Sequence, residues 1–432
     1  MPPGKPPLRP ETGGTFSGAC AKADCEQEAL LRVPPAVRRT SRTSRMKRSG
    51  ARHGLVTAGA PKNAVAFVAA ADDLREKGIT FRLIWNGYGS SSLRRPLSVL
   101  RYATRRLLPR PDRGLVFWTL FSRRLDFVVV MCASTVYKTP RKHALAQAIA
   151  RIRGAQVIFL YVNCGYNITN LVEAISQSPA GQRQVARAER LVTLPHIVKA
   201  AISPQAARDV EDHFGLEGVR NIGFAPGIRP DEFQDELPAD PPLFINIGNY
   251  SHRKGTDLFI DVALRCLERD SSLRFCWVGK NVPRPEDVPE IVAQGVAANF
   301  HFTKTKAPPF DLIRRSSGII FTSRSEAFGL VVSETMAMRR SVFCFEGTGG
   351  SYQAGDVGHV FARFDTAAMA EAVLAQAARP AAERVDDAAF ERYRREFGPG
   401  AFADRFAHLL GDRPGTPGAE RPFLNGDGAD ER

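Results

Sequence analysis

Gly318-Ile-Ile-Phe-Thr-Ser-Arg-Ser-Glu-Ala-Phe-Gly-Leu-Val-Val-Ser-Glu334 opens as an apolar β-run, Ile319 to Thr322. It breaks at the polar turn Ser323-Arg324-Ser325 and restarts as a helix near Phe328. A strand that runs into a turn and then a helix brings unpaired backbone N–H groups to the mouth of a parallel sheet. Together with the positive end of the helix dipole, they form an anion site. Gly329 lies where a ligand would touch, and its missing Cβ lets backbone and phosphate approach closely. Glu326 lies in the turn before the helix and Glu334 about a turn inside it. Two acids flanking an anion site suit neutral hydroxyls beside the anion better than the anion itself. Hydroxyls next to a diphosphate describe a nucleotide sugar.

Outward from this stretch, strands and helices alternate. Leu55–Thr57, Phe81–Trp85, Phe127–Met131, Gln156–Val162, Ala200–Ser203 and Val219–Phe224 read as strands. Helices are expected over Asn63–Lys77, stopped by Gly78, and over His143–Ile152 and Gln205–Phe214. Phe127-Val-Val-Val-Met131 is continuous and β-branched, as in a strand covered on both faces. Later strands are Leu243–Gly248, Arg274–Gly279, Asn299–Phe302 and Ser341–Phe345. Between Gly248 and Arg274, Leu258, Val262 and Cys266 fall on one helical stripe. A helix over Phe310–Ser316 leads into the opening stretch, and helices around Asp386–Phe397 and Phe402–Leu410 close the chain. Repeated βα units imply doubly wound parallel sheets with ligands at the carboxyl ends of their strands.

The 432 residues suffice for two domains, and the 44% apolar fraction indicates globular packing. Residues 1–50, rich in Pro, Arg, Gly and Ser, are expected to be a disordered basic extension; Met46 within them is a candidate start of translation. Residues 51–234 are expected to form the first domain and the acidic, Pro-rich 235–242 a linker. The second domain is expected over 243–385, the closing helices over 386–411, and a disordered tail over 412–432. The seven cysteines are scattered, mostly in apolar runs, and fit a reducing compartment; none has metal-ligand spacing. No signal peptide or spanning helix is read: Arg123, Arg124 and Asp126 interrupt the apolar run Leu115–Val136. A cytoplasmic location, peripheral at the inner face of the membrane, is the expectation.

Net charge is +15, and Ser92–Lys142 alone holds twelve Lys and Arg against Asp112 and Asp126. In Leu93–Leu108, Leu97, Leu100, Leu107 and Leu108 share a face, while Arg94, Arg95, Arg101, Arg105 and Arg106 supply charge. That combination suits an anionic membrane surface; a solvated helix packing its leucines on the domain is the alternative. A basic nucleic-acid-binding protein is a further alternative, but no recognised motif or aromatic platform accompanies the cations.

Glu326-Ala-Phe-Gly-Leu-Val-Val-Ser-Glu334, two glutamates separated by seven residues after a strand, resembles the signature of retaining GT-B glycosyltransferases, the glycosyltransferase group 1 (GT4-like) family. Ala225–Phe233 resembles the turn that ends that family's first domain, and Gly349-Gly350 its glycine pair after the next strand. The resemblance implies two doubly wound Rossmann-like domains facing each other across a cleft, the closing helices crossing back to the first. It also implies transfer of a sugar, of the hexosyl type, from a nucleoside diphosphate to a glycan or lipid-linked acceptor. The anomeric configuration would be retained, in the setting of cell-envelope or exopolysaccharide synthesis. A non-catalytic nucleotide-sugar or glycan-binding protein is the alternative.

In the family pattern, Lys254 matches the lysine of the turn after the first strand of the second domain, while its arginine is replaced by Asn249, with Arg253 nearby. Lys254 and Arg253 would hold the donor diphosphate, beside Gly248 and Asn249. Glu326 would bond hydroxyls of the transferred sugar and Glu334 the ribose, with Phe328, Gly329 and Leu330 offering backbone amides. The catalytic set is thus Glu326, Lys254 and Arg253. In the first domain, Gly59 would give donor and acceptor room, and Asn163 stands where the family often has histidine. Gln353 replaces a family glutamate. No cofactor is implied, and the cations would make the reaction metal-independent.

Overall fold

The computed structural model describes residues 51–58, 64–85, 113–131, 133–162, 165–228, 236–304 and 309–411. Six parallel strands form a first sheet: β1 (Arg52–Ala58), β2 (Ile79–Trp85), β3 (Phe127–Met131), β4 (Gln156–Tyr161), β5 (Val198–Ala201) and β6 (Arg220–Asn221). Their spatial order is β2-β1-β3-β4-β5-β6. A second parallel sheet holds β7 (Leu243–Ile247), β8 (Arg274–Val278), β9 (Phe300–Thr303), β10 (Gly318–Phe321), β11 (Ser341–Phe345) and β12 (His359–Phe361). Its order is β12-β11-β10-β7-β8-β9. Helices cover both faces, which is why β3, β10 and β11 are buried at every residue and read as unbroken apolar runs.

The strand order of the second sheet reverses at β7. One arm leaves it through β8 and the other through β10. In open α/β sheets the crevice outside the strand ends at such a reversal is where ligands bind. β7 and β10 pair through Phe244 with Gly318 and Ile245 with Ile319, so the turns that leave them lie side by side.

Several elements differ from the sequence expectation, each for a local reason. The helix expected over Asn63–Lys77 is two, Val65–Ala69 and Ala71–Glu76, turning at Ala70. The strand placed at Ala200–Ser203 ends at Ala201, because Ser203 caps the helix Pro204–Phe214, its Oγ accepting from the Ala206 N–H at 3.0 Å. Of Val219–Phe224 only Arg220–Asn221 pair. There Asn221 Oδ1 accepts from the Gly223 N–H at 3.0 Å and the chain curls off the sheet edge. The helix expected over Asp386–Phe397 is α-helical at Asp387–Arg392 and widens to a π turn at Tyr393–Phe397, both of whose end residues are buried. Several helices escape the sequence reading, among them Arg113–Phe121, Gly165–Ile175, Pro179–Val192 and Thr366–Ala377. Yet Ser178 and Asp365 cap the last two in the expected manner.

The helix Pro399–Gly411 returns to the first sheet. Phe402 and Phe406 lie 5.1 and 5.0 Å from the Phe67 ring, edge to face, and Phe406 lies 5.7 Å from Phe127. Such pairs stabilise by about 0.5–1.5 kcal/mol each beyond area burial. Between the domains, buried Arg384 holds the connecting segment, donating to the Ala239 carbonyl at 3.0 Å and to Asp240 at 3.2 Å. The carboxyl ends of β5 and β6 meet the turn after β10. Ser203 Oγ donates to the Ala327 carbonyl, Phe224 lies 6.1 Å from Phe328, and Asn221 donates to the Tyr352 hydroxyl at 3.0 Å. The two sheets therefore present their carboxyl ends to each other.

Candidate active site

The turn after β7 and the turn after β10 are fastened together by the chain itself. Gly255 takes a left-handed φ of 70°, and a Cβ there would lie 2.0 Å from the Thr322 carbonyl oxygen, so glycine is required for this approach. Thr322 Oγ1 donates to the Gly255 carbonyl at 2.8 Å, and the Arg324 N–H to the Arg253 carbonyl at 2.9 Å. Arg324 also grips Asp257 through two bonds of 2.7 and 2.6 Å and donates to the His252 carbonyl at 2.7 Å. The bond from Arg324 holds the Asp257 carboxyl below the usual carboxylate range.

This zipper sets Lys254 Nζ directly on Glu326 Oε2. Arg253 reaches the same oxygen at 3.4 Å and donates to the Ser325 carbonyl at 2.7 Å. The side chains of Lys254 and Glu326 are only 15% and 22% exposed, so the pair sits in a recess rather than on the surface. Burial pushes the Glu326 carboxyl up, but Lys254 and then Arg253 outweigh it, and the group stays below its ordinary value. The acid and both cations expected to serve a donor thus hold one another here. Gly248 leaves room for the lysine stem, since a Cβ there would lie 3.2 Å from Lys254 Cε. Asn249 is exposed, and no hydrogen bond to its side chain is found among the described residues.

Beyond Glu326 the chain turns at Gly329, whose φ is 82°, and enters the helix Leu330–Ala337 with no side-chain cap. The first N–H groups of a helix lack internal acceptors, so this uncapped end remains open to an anion. The Phe328 ring is not part of that opening: it is buried against Phe224, Phe397 and Tyr352, leaving only its backbone for a ligand. Along the helix, only Leu330 and Glu334 are less than fully buried. Spaced four apart, they form one stripe leading back toward Gly329. Burial pushes the Glu334 carboxyl up to about 7, and it has no hydrogen bond or ion pair among the described residues.

Gly349 and Gln353 brace this turn from the next helix, Gly349–Ala354. The Gly349 N–H donates to the Glu326 carbonyl at 2.9 Å. A Cβ on Gly349 would come within 2.4 to 2.6 Å of the Phe328 backbone. Gly349→Ala is therefore expected to lower stability by about 1–3 kcal/mol, measured by thermal unfolding, as the turn is pushed off its seat. Buried Gln353 donates through Nε2 to the carbonyls of Phe328, Gly329 (3.2 Å) and Gly349 (3.1 Å). A carboxylate in its place would face three carbonyl oxygens, which explains why an amide suits the position. Gln353→Leu leaves those carbonyls without this donor and is expected to cost about 1–3 kcal/mol, read from denaturant unfolding.

Sequence reasoning missed Thr322, the Arg324–Asp257 clamp, Ser203 and the bracing role of Gln353. From the sequence, Thr322 and Ser203 read only as strand ends, Arg324 as part of a polar turn and Gln353 as a departure from a pattern. Gly59, Asn163, Arg94, Arg95, Arg101, Arg105 and Arg106 lie outside the described residues. Among the described residues, no three His, Cys, Asp or Glu gather as a metal site, and no helix is long and apolar enough to cross a membrane.

Residues 241–378 match the family model for glycosyl transferases group 1. Alpha-D-kanosaminyltransferase of Streptomyces kanamyceticus is 28% identical over 138 residues, 31% of this chain and 36% of that protein. The match thus spans about a third of that relative's length. Among solved structures, sucrose-phosphate synthase from Thermosynechococcus elongatus is similar with a TM-score of 0.57 at 16% identity, over 83% of this chain and 98% of that one. Anabaena Alr3699/HepE, in complex with UDP-glucose, gives 0.54 at 14%, over 83% and 99%. The fold is the two-domain, Rossmann-like GT-B arrangement.

Proposed function

We propose that the chain is a glycosyltransferase that moves a hexosyl unit from a nucleoside-diphosphate sugar, with retention, to a glycan or lipid-linked acceptor. The observation that carries this reading is the Lys254–Glu326–Arg253 cluster beside the uncapped Gly329 turn, at the strand reversal of the second sheet. The match of residues 241–378 to group 1 glycosyltransferases, and the UDP-glucose bound by a structural neighbour, support the donor class.

Sugar transfer builds positive charge on the anomeric carbon and negative charge on the departing phosphate. In the structure Lys254 and Arg253 both pair with Glu326. An arriving diphosphate draws both cations to itself, and Glu326 is freed to accept from sugar hydroxyls. The leaving phosphate then gains charge while the cations and helix N–H groups are already in place, so the transition state is stabilised more than the ground state. Two cations and a helix end take the role that a divalent ion plays elsewhere, and activity is expected to persist in chelator. A role in cell-envelope or exopolysaccharide synthesis on the cytoplasmic side fits such an acceptor.

Thermal unfolding with a panel of nucleoside diphosphates and their sugars tests the donor site, because a ligand that binds only the folded state raises its melting temperature. A shift with one base and its sugar nucleotide, followed by release of the diphosphate when acceptor is added, is the expected result. No shift with any of them would remove the reading.

A further inference from the structure

Two adjacent helices of the first domain turn large apolar side chains outward. Leu120 and Phe121 end the helix Arg113–Phe121 at 52% and 63% exposure, and Ile152 ends the helix Pro140–Ile152 at 86%. Arg153 ties these ends together, its guanidinium donating to the carbonyls of Thr119 at 2.7 Å, Leu120 at 3.3 Å and Ser122. Leu145, also exposed, lies two turns before Ile152 on the stripe that faces away from buried His143, Ala146 and Ala150. The two helices lead into β3 and β4, so the face they form lies at the amino-terminal rim of the first sheet, away from the candidate active site. Several large apolar residues gathered on one exposed face mark an interaction site.

The charge around this face is one-sided. Between Arg113 and Ala155, eight Lys and Arg stand against a single acid, Asp126. Asp126 is already held by Arg124 at 3.0 Å and by the His53 N–H at 2.7 Å. Arg123 and Arg151 are exposed beside the apolar residues, with no ion pair among the described residues.

We propose that this rim docks on an anionic lipid surface, with Phe121, Leu120 and Ile152 entering the boundary between headgroups and acyl chains, and Arg123 and Arg151 resting on lipid phosphates. Charge selects the occupant. A second copy would set the same cations against each other, and the neighbouring segment Leu93–Leu108 is itself cationic. Nucleic acid would match the charge, but phosphate contacts give no reason for exposed phenylalanine and isoleucine.

The test is sedimentation of the full chain with phosphatidylcholine vesicles, with or without phosphatidylglycerol, at low and high salt. Binding is expected only to the anionic vesicles and is weakened by salt. The double variant Phe121→Glu/Ile152→Glu should reduce it at least about tenfold, and Arg123→Glu/Arg151→Glu should do the same. Both leave the melting temperature unchanged, since all four positions are exposed. Failure to bind anionic vesicles overturns the proposal, as does binding that either double variant retains in full. Equally tight binding to duplex DNA that survives Phe121→Glu/Ile152→Glu overturns it in favour of nucleic acid. Because vesicle binding is read without donor or acceptor, its failure is distinct from failure of the proposed reaction.

Discussion

Replacing Lys254 by alanine is expected to lower kcat/KM for sugar transfer by about 100- to 1,000-fold, mostly in kcat. Removing one preordered group that meets developing charge costs about 3–4 kcal/mol of barrier. Lys254 qualifies because the recess holds its ammonium at Glu326, one turn from the uncapped helix entrance. The product diphosphate carries more charge on its terminal phosphate than the sugar nucleotide does. The variant should therefore lose more affinity for the diphosphate than for the donor, a difference visible in paired thermal shifts. Glu326 gives a second readout. Without Lys254 its carboxyl keeps burial and only the more distant Arg253, so its pKa should rise, and with it the lower limb of the pH–rate profile. Activity within tenfold of the parent would show that the lysine holds the turn and does not act on the phosphate.

The sequence made the parts of this site legible and left their assembly unstated. Ile319–Thr322 running into Gly329 and Leu330 follows from local periodicity and turn chemistry, and both are properties of neighbouring residues. The contact of Lys254 with Glu326 joins positions 72 apart and depends on β7 pairing with β10. Unbroken apolar strands of a covered sheet carry no mark of which neighbour they choose. Nor did it show that acid and cations would pair with each other, because charge type gives partners but not distances. Gln353 was illegible for another reason: it acts on backbone carbonyls, which every residue has. At the sheet edge, β6 is shorter than its apolar run because Asn221 and Gly223 turn the chain inside it. There local hydrogen bonding overrode β-propensity.

The same reasoning makes Glu334 a residue held at a cost to stability. Burial pushes its carboxyl from 4.5 to about 7. In the folded chain it therefore keeps its proton across a window in which the unfolded chain has already released its own. Stability falls as pH rises through that window, by about 1.4 kcal/mol for each tenfold, or about 3 kcal/mol in all. Glu334→Gln removes the titration. It is expected to stabilise the protein, measured without added donor, by about 3 kcal/mol above pH 7, and by almost nothing near pH 4, where both side chains are neutral. If the ribose hydroxyls of a donor bond this carboxylate, they favour its ionised form, so binding expels a proton and donor affinity rises with pH toward neutrality. The glutamine variant should then bind donor more weakly, with no such pH dependence, while melting at a higher temperature. Calorimetry in buffers of different ionisation enthalpy counts the protons released. A variant that is both more stable and as tight a binder would mean that Glu334 faces the site without serving it.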